Sequence, residues 1–337
     1  MINPKRRLKL SSAITKRLKW GVAGCGHFAE SSFLPALQIE QRSKLVSVYG
    51  DDINRSKNIA SKFGAPNAYD NFESFLASDV NVIYISGAPA NHYEQIIKAA
   101  KASKHILCEV PHSLNSKQAK EIADICRENN VIFLLDYLHR FHPLIQKAKE
   151  LINKHLLGKI VSISVSYNID YTPDQSFRFK KELSGGGVLR SLGSQVIDLL
   201  RFFGGEIIET KAFMDNVVYN SEVEDFASGI VKFENNGYGH FNVSYNAKKA
   251  FNRIEILGYN GSIAIEDFFN RKSISTKLII DLHGEGKKIF RKRTNKILYM
   301  IRDVQRTILR NSQPRVTGED GLINMRLIEQ IEQQCGK

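Results

Sequence analysis

The stretch Leu18-Lys19-Trp20-Gly21-Val22-Ala23-Gly24-Cys25-Gly26-His27-Phe28-Ala29 decides the fold. A short apolar run ends in Gly24-x-Gly26-x-x-Ala29, and a helix-like pattern follows. A strand, tight turn and helix start of this kind hold a dinucleotide pyrophosphate. Gly24 would make the turn, Gly26 would let the backbone approach the phosphates, and Ala29 is small enough for helix and strand to pack closely. The helix start offers free N–H groups and the positive end of a dipole to the anion. With Gly24, Gly26 and Ala29, the intervening His27 and Phe28 are candidate cofactor contacts. Three small residues also suit an ordinary glycine-rich turn, so the surrounding chain has to decide.

Working outward, residues 30–42 read as a helix with Leu34, Leu37 and Ile39 inward and Pro35 near its start. A second strand over 44–49 ends at Gly50-Asp51-Asp52, some 26 to 28 residues beyond Gly24. An acid at that distance can accept from both hydroxyls of a ribose. Two carboxylates there would also repel a 2′-phosphate, which favours NAD over NADP, although Arg55 stands close by. A helix over 54–63, a β-branched strand over 80–86 broken by Gly87-Ala88-Pro89, and a helix over 91–102 come next. A strand over 104–108 closes on Glu109-Val110-Pro111, before a helix over 116–129 and a strand over 131–136. Strand and helix alternating through short connections specify a doubly wound parallel sheet. In that context the glycine motif is the first strand-to-helix turn.

The pattern changes after Asp136. Arg140-Phe141-His142-Pro143 leads into a helix over 143–154. Residues 160–171 then alternate, with Val161, Ile163, Val165, Tyr167, Ile169 and Tyr171 on one face, as in an antiparallel sheet with one buried side. Further strands are expected near 208–218, 226–233, 238–246, 252–258 and 262–266. Asn235-Asn236-Gly237 and Asn260-Gly261 are hairpin signals. Gly185-Gly186-Gly187 opens a helix whose Ser191, Gln195 and Asp198 share a polar face, read as a site. An amphipathic basic helix is expected over 289–310, its stripe of Ile297, Ile301, Val304 and Ile308 packed on its own sheet, and a final helix over 321–334. The expected organisation is a basic extension over 1–17, a dinucleotide-binding domain over 18–137, and an α+β domain with a largely antiparallel open sheet over 138–337.

The chain of 337 residues is 42% apolar and 25% charged, as in soluble globular proteins, and holds no membrane-length apolar run. Its four cysteines are scattered, which fits neither a disulfide nor a zinc framework and points to a reducing cytoplasm. No metal site is expected. The net charge of +13 resides in two segments: 1–19 has seven Lys/Arg and no acid, and 271–310 has twelve against three acids. These are either solvated faces or contacts for an anionic partner. A phosphorylated substrate or a peripheral lipid surface ranks above nucleic acid, for which no motif is present. Arg6-Arg7 lacks the apolar run of an export signal.

Taken together, these residues resemble the glucose–fructose oxidoreductase, inositol dehydrogenase and rhizopine-catabolism (Gfo/Idh/MocA) family from about 19 to 333. The resemblance rests on the glycine motif, His92 before a helix, Lys104-His105-Ile106-Leu107-Cys108-Glu109-x-Pro111, Arg140-Phe141-x-Pro143, the glycine triplet through Asp198, and Val316-Thr317-Gly318-Glu319-Asp320-Gly321. It implies a Rossmann domain, an α+β domain whose open sheet forms homo-oligomer contacts, and NAD(P)-dependent hydride transfer on sugars, cyclitols or nucleotide sugars. It also places His92, Glu109 and Pro111 by the cofactor, and the helix after the triplet along the substrate pocket. Arg140, Arg178 and Gln195 are the candidate substrate contacts.

Three positions depart from the family pattern. Its usual lysine, aspartate and histidine are here Val110, Ser191 and Gln195, none of which titrates near neutrality, and His92 follows Pro89 by three residues where four is usual. Alcohol oxidation needs a base, and general acid–base help contributes typically 10²–10⁴-fold. Gln195 can hold a hydroxyl and Ser191 can relay a proton. His112 and Asp198 are the other catalytic candidates, with His139, Asp170 and Tyr171 behind them. Two expectations follow: an oxidoreductase with altered acid–base residues, or a cofactor-binding regulator that lost the chemistry.

Overall fold

Six strands, β1 (Leu18–Ala23), β2 (Ser43–Tyr49), β3 (Asn67–Tyr69), β4 (Val82–Ile85), β5 (His105–Cys108) and β6 (Phe133–Leu135), form a wholly parallel sheet in the order β3-β2-β1-β4-β5-β6. The computed structural model describes residues 17–269 and 275–336. Apart from Arg17, the expected basic extension lies outside the described residues, as do positions 271–274 of the second basic segment. β1 and β4 are buried on both faces, which is why they read as continuous apolar runs. Against them Phe33 stacks on Tyr84 with ring centroids 3.7 Å apart, and Trp20 meets Phe33 edge-on while its indole N–H donates to Ser43.

The first helical stretch differs from expectation at both ends. It ends at Ile39, because Glu40 turns to an extended conformation to feed β2, and Ile39 points outward, 61% exposed. Near its start the helix widens to a π turn over Ala29–Phe33, directly before Pro35. A proline offers no N–H to the carbonyl one turn earlier and its ring needs room there, so the loosened turn is the local solution. The three-residue β3 and the short helix Phe72–Leu76 went unread, since neither is long enough to show a period.

The second sheet has eight strands: β7 (Ile160–Asn168), β8 (Ile207–Asp215), β9 (Phe226–Phe233), β10 (Tyr238–Ser244), β11 (Arg253–Gly258), β12 (Gly261–Glu266), β13 (Thr276–Leu282) and β14 (Gly286–Lys292). Their order is β14-β13-β12-β11-β7-β10-β9-β8, antiparallel except where β10 runs parallel to β7. Ile163, Val165 and Tyr167 face the core as expected, but Val161 is exposed and Ile160 buried in its place. A bulge opposite Leu257 and Gly258 puts one extra residue on β7 and reverses the facing of everything before it. The basic stretch that looked helical from 289 begins as β14; only Lys296–Arg310 is helix.

That helix also packs elsewhere than expected. Ile297, Met300, Ile301 and Val304 join the core of the parallel sheet, Gln305 bonds Ser43, and Arg302 pairs with Glu40. An apolar stripe says that a face is buried, not which sheet buries it. The final helix, Gly318–Gln334, opens with a capping box between Thr317 and Asp320 and packs against Ser116–Glu128 on one side and the second core on the other. No helix among the described residues is long and apolar enough to cross a membrane.

Candidate active site

The glycine turn lies at the C-terminal ends of β1 and β2. Gly24 holds φ at +109°, and a Cβ there would sit 2.2 Å from the Ser86 carbonyl oxygen on β4's exit. At Gly26 a Cβ would meet nothing within 4 Å, so the turn presents an open cradle of backbone where a pyrophosphate would lie. The chain is helical from His27 onward. Of the two acids after β2, Asp52 caps the helix Ile53–Phe63 by accepting from Asn54 N–H at 2.8 Å. Asp51 is exposed and receives the Tyr49 hydroxyl at 3.2 Å, leaving it the acid free for ribose hydroxyls. Arg55 pairs with Glu30 at 2.6 Å and donates to the Cys25 carbonyl. The cradle, the helix start and the acid fit a dinucleotide cofactor, which when bound supplies or accepts the hydride.

Beyond this turn a cleft of about 340 Å³ opens between the parallel sheet and the second sheet. It brings together Phe28, Glu109, Val110, Arg178, Ser191 and Gln195 from the expected residues. Three groups not anticipated share it: Asp136 at the end of β6, His142 at the start of the helix Pro143–Asn153, and Lys296. Gln195 donates its amide N–H to the Asp136 backbone carbonyl at 3.4 Å, while its Oε1 is buried with no partner. Tyr84 donates to Glu109 at 2.7 Å and more weakly to Asp136 Oδ2 at 3.5 Å; Asp136 Oδ1 is buried with no partner. Burial, reinforced by Glu109, holds the Asp136 carboxyl well above the usual range. Lys296 Nζ donates to His139 Nδ1 at 3.2 Å and to the Phe268 carbonyl at 3.0 Å, and lies 4.6 Å from the centre of the Phe268 ring. A smaller adjoining cleft holds His92 and Pro111, with His92 Nδ1–H donating to the Pro111 carbonyl at 2.9 Å.

The sequence matches known families along most of its length. Residues 18–137 match the oxidoreductase family with an NAD-binding Rossmann fold, and residues 145–264 match the Gfo/Idh/MocA C-terminal domain. This chain belongs to the Gfo/Idh/MocA family. Among its relatives is the 1,5-anhydro-D-fructose reductase of Ensifer adhaerens, 24% identical over 90% of this chain and 92% of that protein. Similar solved structures include a 3-ketoreductase from Actinomadura kijaniata in complex with NADP and TDP-benzene, with a TM-score of 0.83, 21% identity, and 94% and 98% of the two chains covered. A levoglucosan dehydrogenase in complex with NADH and levoglucosan superposes with a TM-score of 0.87 at 21% identity, covering 95% and 97%. The cofactor of this Gfo/Idh/MocA chain is NAD or NADP.

Several expected site residues lie outside both clefts. Arg140 and Asp198 form a buried bidentate pair, with Arg140 Nε and Nη2 at 2.7 and 2.6 Å from the carboxylate, and Arg140 also reaches Asp320. Its donors are spent on the protein, so the structure places it as a clamp between elements and not as a substrate contact. Asp198 follows Gln195 by three residues, but its carboxylate is turned to Arg140 and Asn324. His112 is packed against Phe133 under Gly321, and burial pulls its pKa down to about 3. It is a neutral core residue. Asp170 binds the Tyr219 hydroxyl, and Tyr171 packs on Phe179 and Tyr245. The glycine triplet serves a close approach within the chain. A Cβ at Gly187 would lie 2.1 Å from the Glu224 carbonyl oxygen, and the Glu224 carboxylate accepts from the Gly187 and Leu189 N–H groups. That contact fixes the helix carrying Ser191 and Gln195. Among the described residues no cluster of His, Cys, Asp or Glu could hold a metal.

Proposed function

We propose that this Gfo/Idh/MocA oxidoreductase moves a hydride between a nicotinamide dinucleotide and a hydroxyl-bearing carbon of a sugar or nucleotide sugar. The observation that carries the reading is the pair of buried oxygens without hydrogen-bond partners, Asp136 Oδ1 and Gln195 Oε1, on residues lining one cleft beside the cofactor turn. Buried polar atoms are normally satisfied, and the hydroxyls of a polyol, which both donate and accept, would supply the missing partners. Ser191 adds a hydroxyl at the same wall. Arg178, held over Tyr171 and Phe177, offers a cation for a phosphorylated substituent. A screen of aldoses, anhydro sugars and TDP-sugars with both cofactors should yield an absorbance change at the reduced-nicotinamide band. Saturable cofactor binding with no turnover on any of them would favour a regulator that holds the cofactor without using it.

The cofactor preference follows from the turn after β2. Asp51 would receive the ribose hydroxyls and repel a 2′-phosphate, while Arg55 is held by Glu30, so NAD is the favoured form. Asp51→Ser is expected to shift the NADPH-to-NADH affinity ratio about 10–100-fold toward NADPH, or about 1.4–2.7 kcal/mol, read by fluorescence titration. An unchanged ratio would remove Asp51 from the site.

The outer face of the second sheet carries exposed Phe213, Ile230, Tyr238, Leu257 and Ile289 on five strands. Apolar groups spread across an open sheet are what a second copy would cover. Light scattering should therefore give a multimer, and Ile230→Lys with Tyr238→Glu should shift it to monomer. A monomeric unaltered protein at micromolar concentration rules the contact out.

A further inference from the structure

We propose that Lys296 is the residue of the cleft that exchanges a proton with the substrate hydroxyl, taking the place that Val110 and Gln195 cannot fill. The inference rests on the proposed hydride transfer and adds the group that balances it.

The geometry is specific. Lys296 is the first residue of the helix that returns to the parallel sheet, and Asn295 caps that helix. The helix's burial of Ile297, Met300 and Ile301 therefore fixes where Lys296 begins. Its stem is partly exposed, but its ammonium is drawn into the cleft by two acceptors, His139 Nδ1 and the Phe268 carbonyl. Three donors sit on an ammonium. Two are accounted for by these bonds, and the third is available to a ligand oxygen in the cleft.

The other titratable groups facing it are poor candidates. His139 is pulled well below its ordinary range by burial first and by Lys296 second, and its Nδ1 is already accepting. His142 is lowered to about 3 by burial, with Lys296 and Lys292 adding to it, and its Nδ1 accepts from Leu144 N–H. Both rings therefore stay neutral. Asp136 and Glu109 share the Tyr84 hydroxyl at the cleft floor. Asp267 also borders the cleft, and Lys292 approaches from β14. Lys296 itself is lowered from 10.5 to about 8 by burial, with Asp136 opposing the shift. An amine in that range can release and accept a proton near physiological pH, which a general acid–base group must do.

The step balances simply. In the oxidising direction the neutral Lys296 amine takes the hydroxyl proton as the C–H bond breaks, its electron pair leaves with the hydrogen as hydride to the nicotinamide, and the carbon–oxygen double bond forms. In the reducing direction the ammonium returns the proton to the oxygen. With the folded pKa near 8, oxidation should rise as pH increases through about 8, and reduction should fall over the same interval.

The test has a readout that does not depend on turnover. Reductive methylation with ¹³C-formaldehyde labels the lysines, and Lys296→Met identifies the signal of interest by its disappearance. That signal should titrate near pH 8 and move on addition of NADH. Titration at the ordinary lysine value above 10 would overturn the proposal. With sugar substrates from the screen, Lys296→Met should lose about 10²–10⁴-fold in kcat and lose the pH 8 limb, with NADH affinity within threefold of the unaltered protein. In Lys296→Ala, added ethylamine should restore part of the rate. A Lys296→Met enzyme that keeps the pH profile would also overturn the proposal. If no sugar is turned over, the hydride-transfer reading fails, and the methyl-lysine titration still decides whether this lysine can exchange protons at the cleft.

Discussion

Arg140→Met is expected to cost about 3–5 kcal/mol of stability, the usual penalty for stripping one partner from a buried ion pair. The Asp198 carboxylate is 1% exposed on its side chain and depends on Arg140 for two of its three bonds, the third coming from Asn324. Burial already pulls this carboxyl above its ordinary range, and Arg140 is the main force holding it down. Without the guanidinium, Asp198 must either stay charged in an apolar setting or take up a proton on folding. Arg140 also donates to Asp320 and to the Arg315 carbonyl, so the start of the final helix loosens with it. Thermal unfolding should show a midpoint lower by about 4–7 °C. The double variant Arg140→Met, Asp198→Leu should recover part of the loss, because the orphaned charge is gone. A single variant within 1 kcal/mol of the unaltered protein would mean that the pair is solvated and not structural.

Gly24→Val should weaken NADH binding at least about a hundredfold, or about 2.7 kcal/mol. Two effects act together. The backbone at φ +109° is strained for any residue with a Cβ, at a cost of about 1–3 kcal/mol. The new Cβ would also meet the Ser86 carbonyl oxygen at 2.2 Å, and that oxygen belongs to the backbone and cannot swing away. Relief requires β1 and β4 to separate at their C-terminal ends, where the Ser86 hydroxyl donates to the Ala23 and Gly24 carbonyls. The turn then no longer lies over the phosphate position. Fluorescence titration with NADH reads the loss, and circular dichroism separates it from unfolding. A dissociation constant within threefold of the original would show that the pyrophosphate is held elsewhere.

Much of this fold was legible because burial on both faces writes itself into a strand. The run from 82 to 85 needs no partner to be read, and five such strands alternating with helices leave one architecture even with the short β3 unread. The cofactor turn was legible for a related reason: Gly24 is needed by the positive φ of the turn itself, and Gly26 leaves the backbone beside it open. Features of the second half were harder. Val161 and Ile160 exchanged faces because of a bulge set by β11, ninety-odd residues away in sequence. The strands β13 and β14 were hidden in a basic stretch whose charges suit a helix equally well. Arg140 drew a functional reading from the motif that resembles the family's and Asp198 from its polar helix face, and only the fold reveals that they spend themselves on each other. Lys296 carried no signal at all: it was one of twelve cations in its segment, and its distinction is the water it has lost.

The return of the helix Lys296–Arg310 to the parallel sheet has a mechanical consequence. The chain crosses from the first layer to the second after β6 and crosses back after β14, so it is stitched through both. A fragment cut near 137 would leave the first core with an apolar trough where Ile297, Met300, Ile301 and Val304 belong. Lys296 begins a helix packed on the first core, yet its ammonium bonds the carbonyl of Phe268 in the second, so this side chain ties the two layers together. The cleft therefore draws its proton-handling side chain and its polar grips from elements of both layers, and neither layer alone carries the complete set.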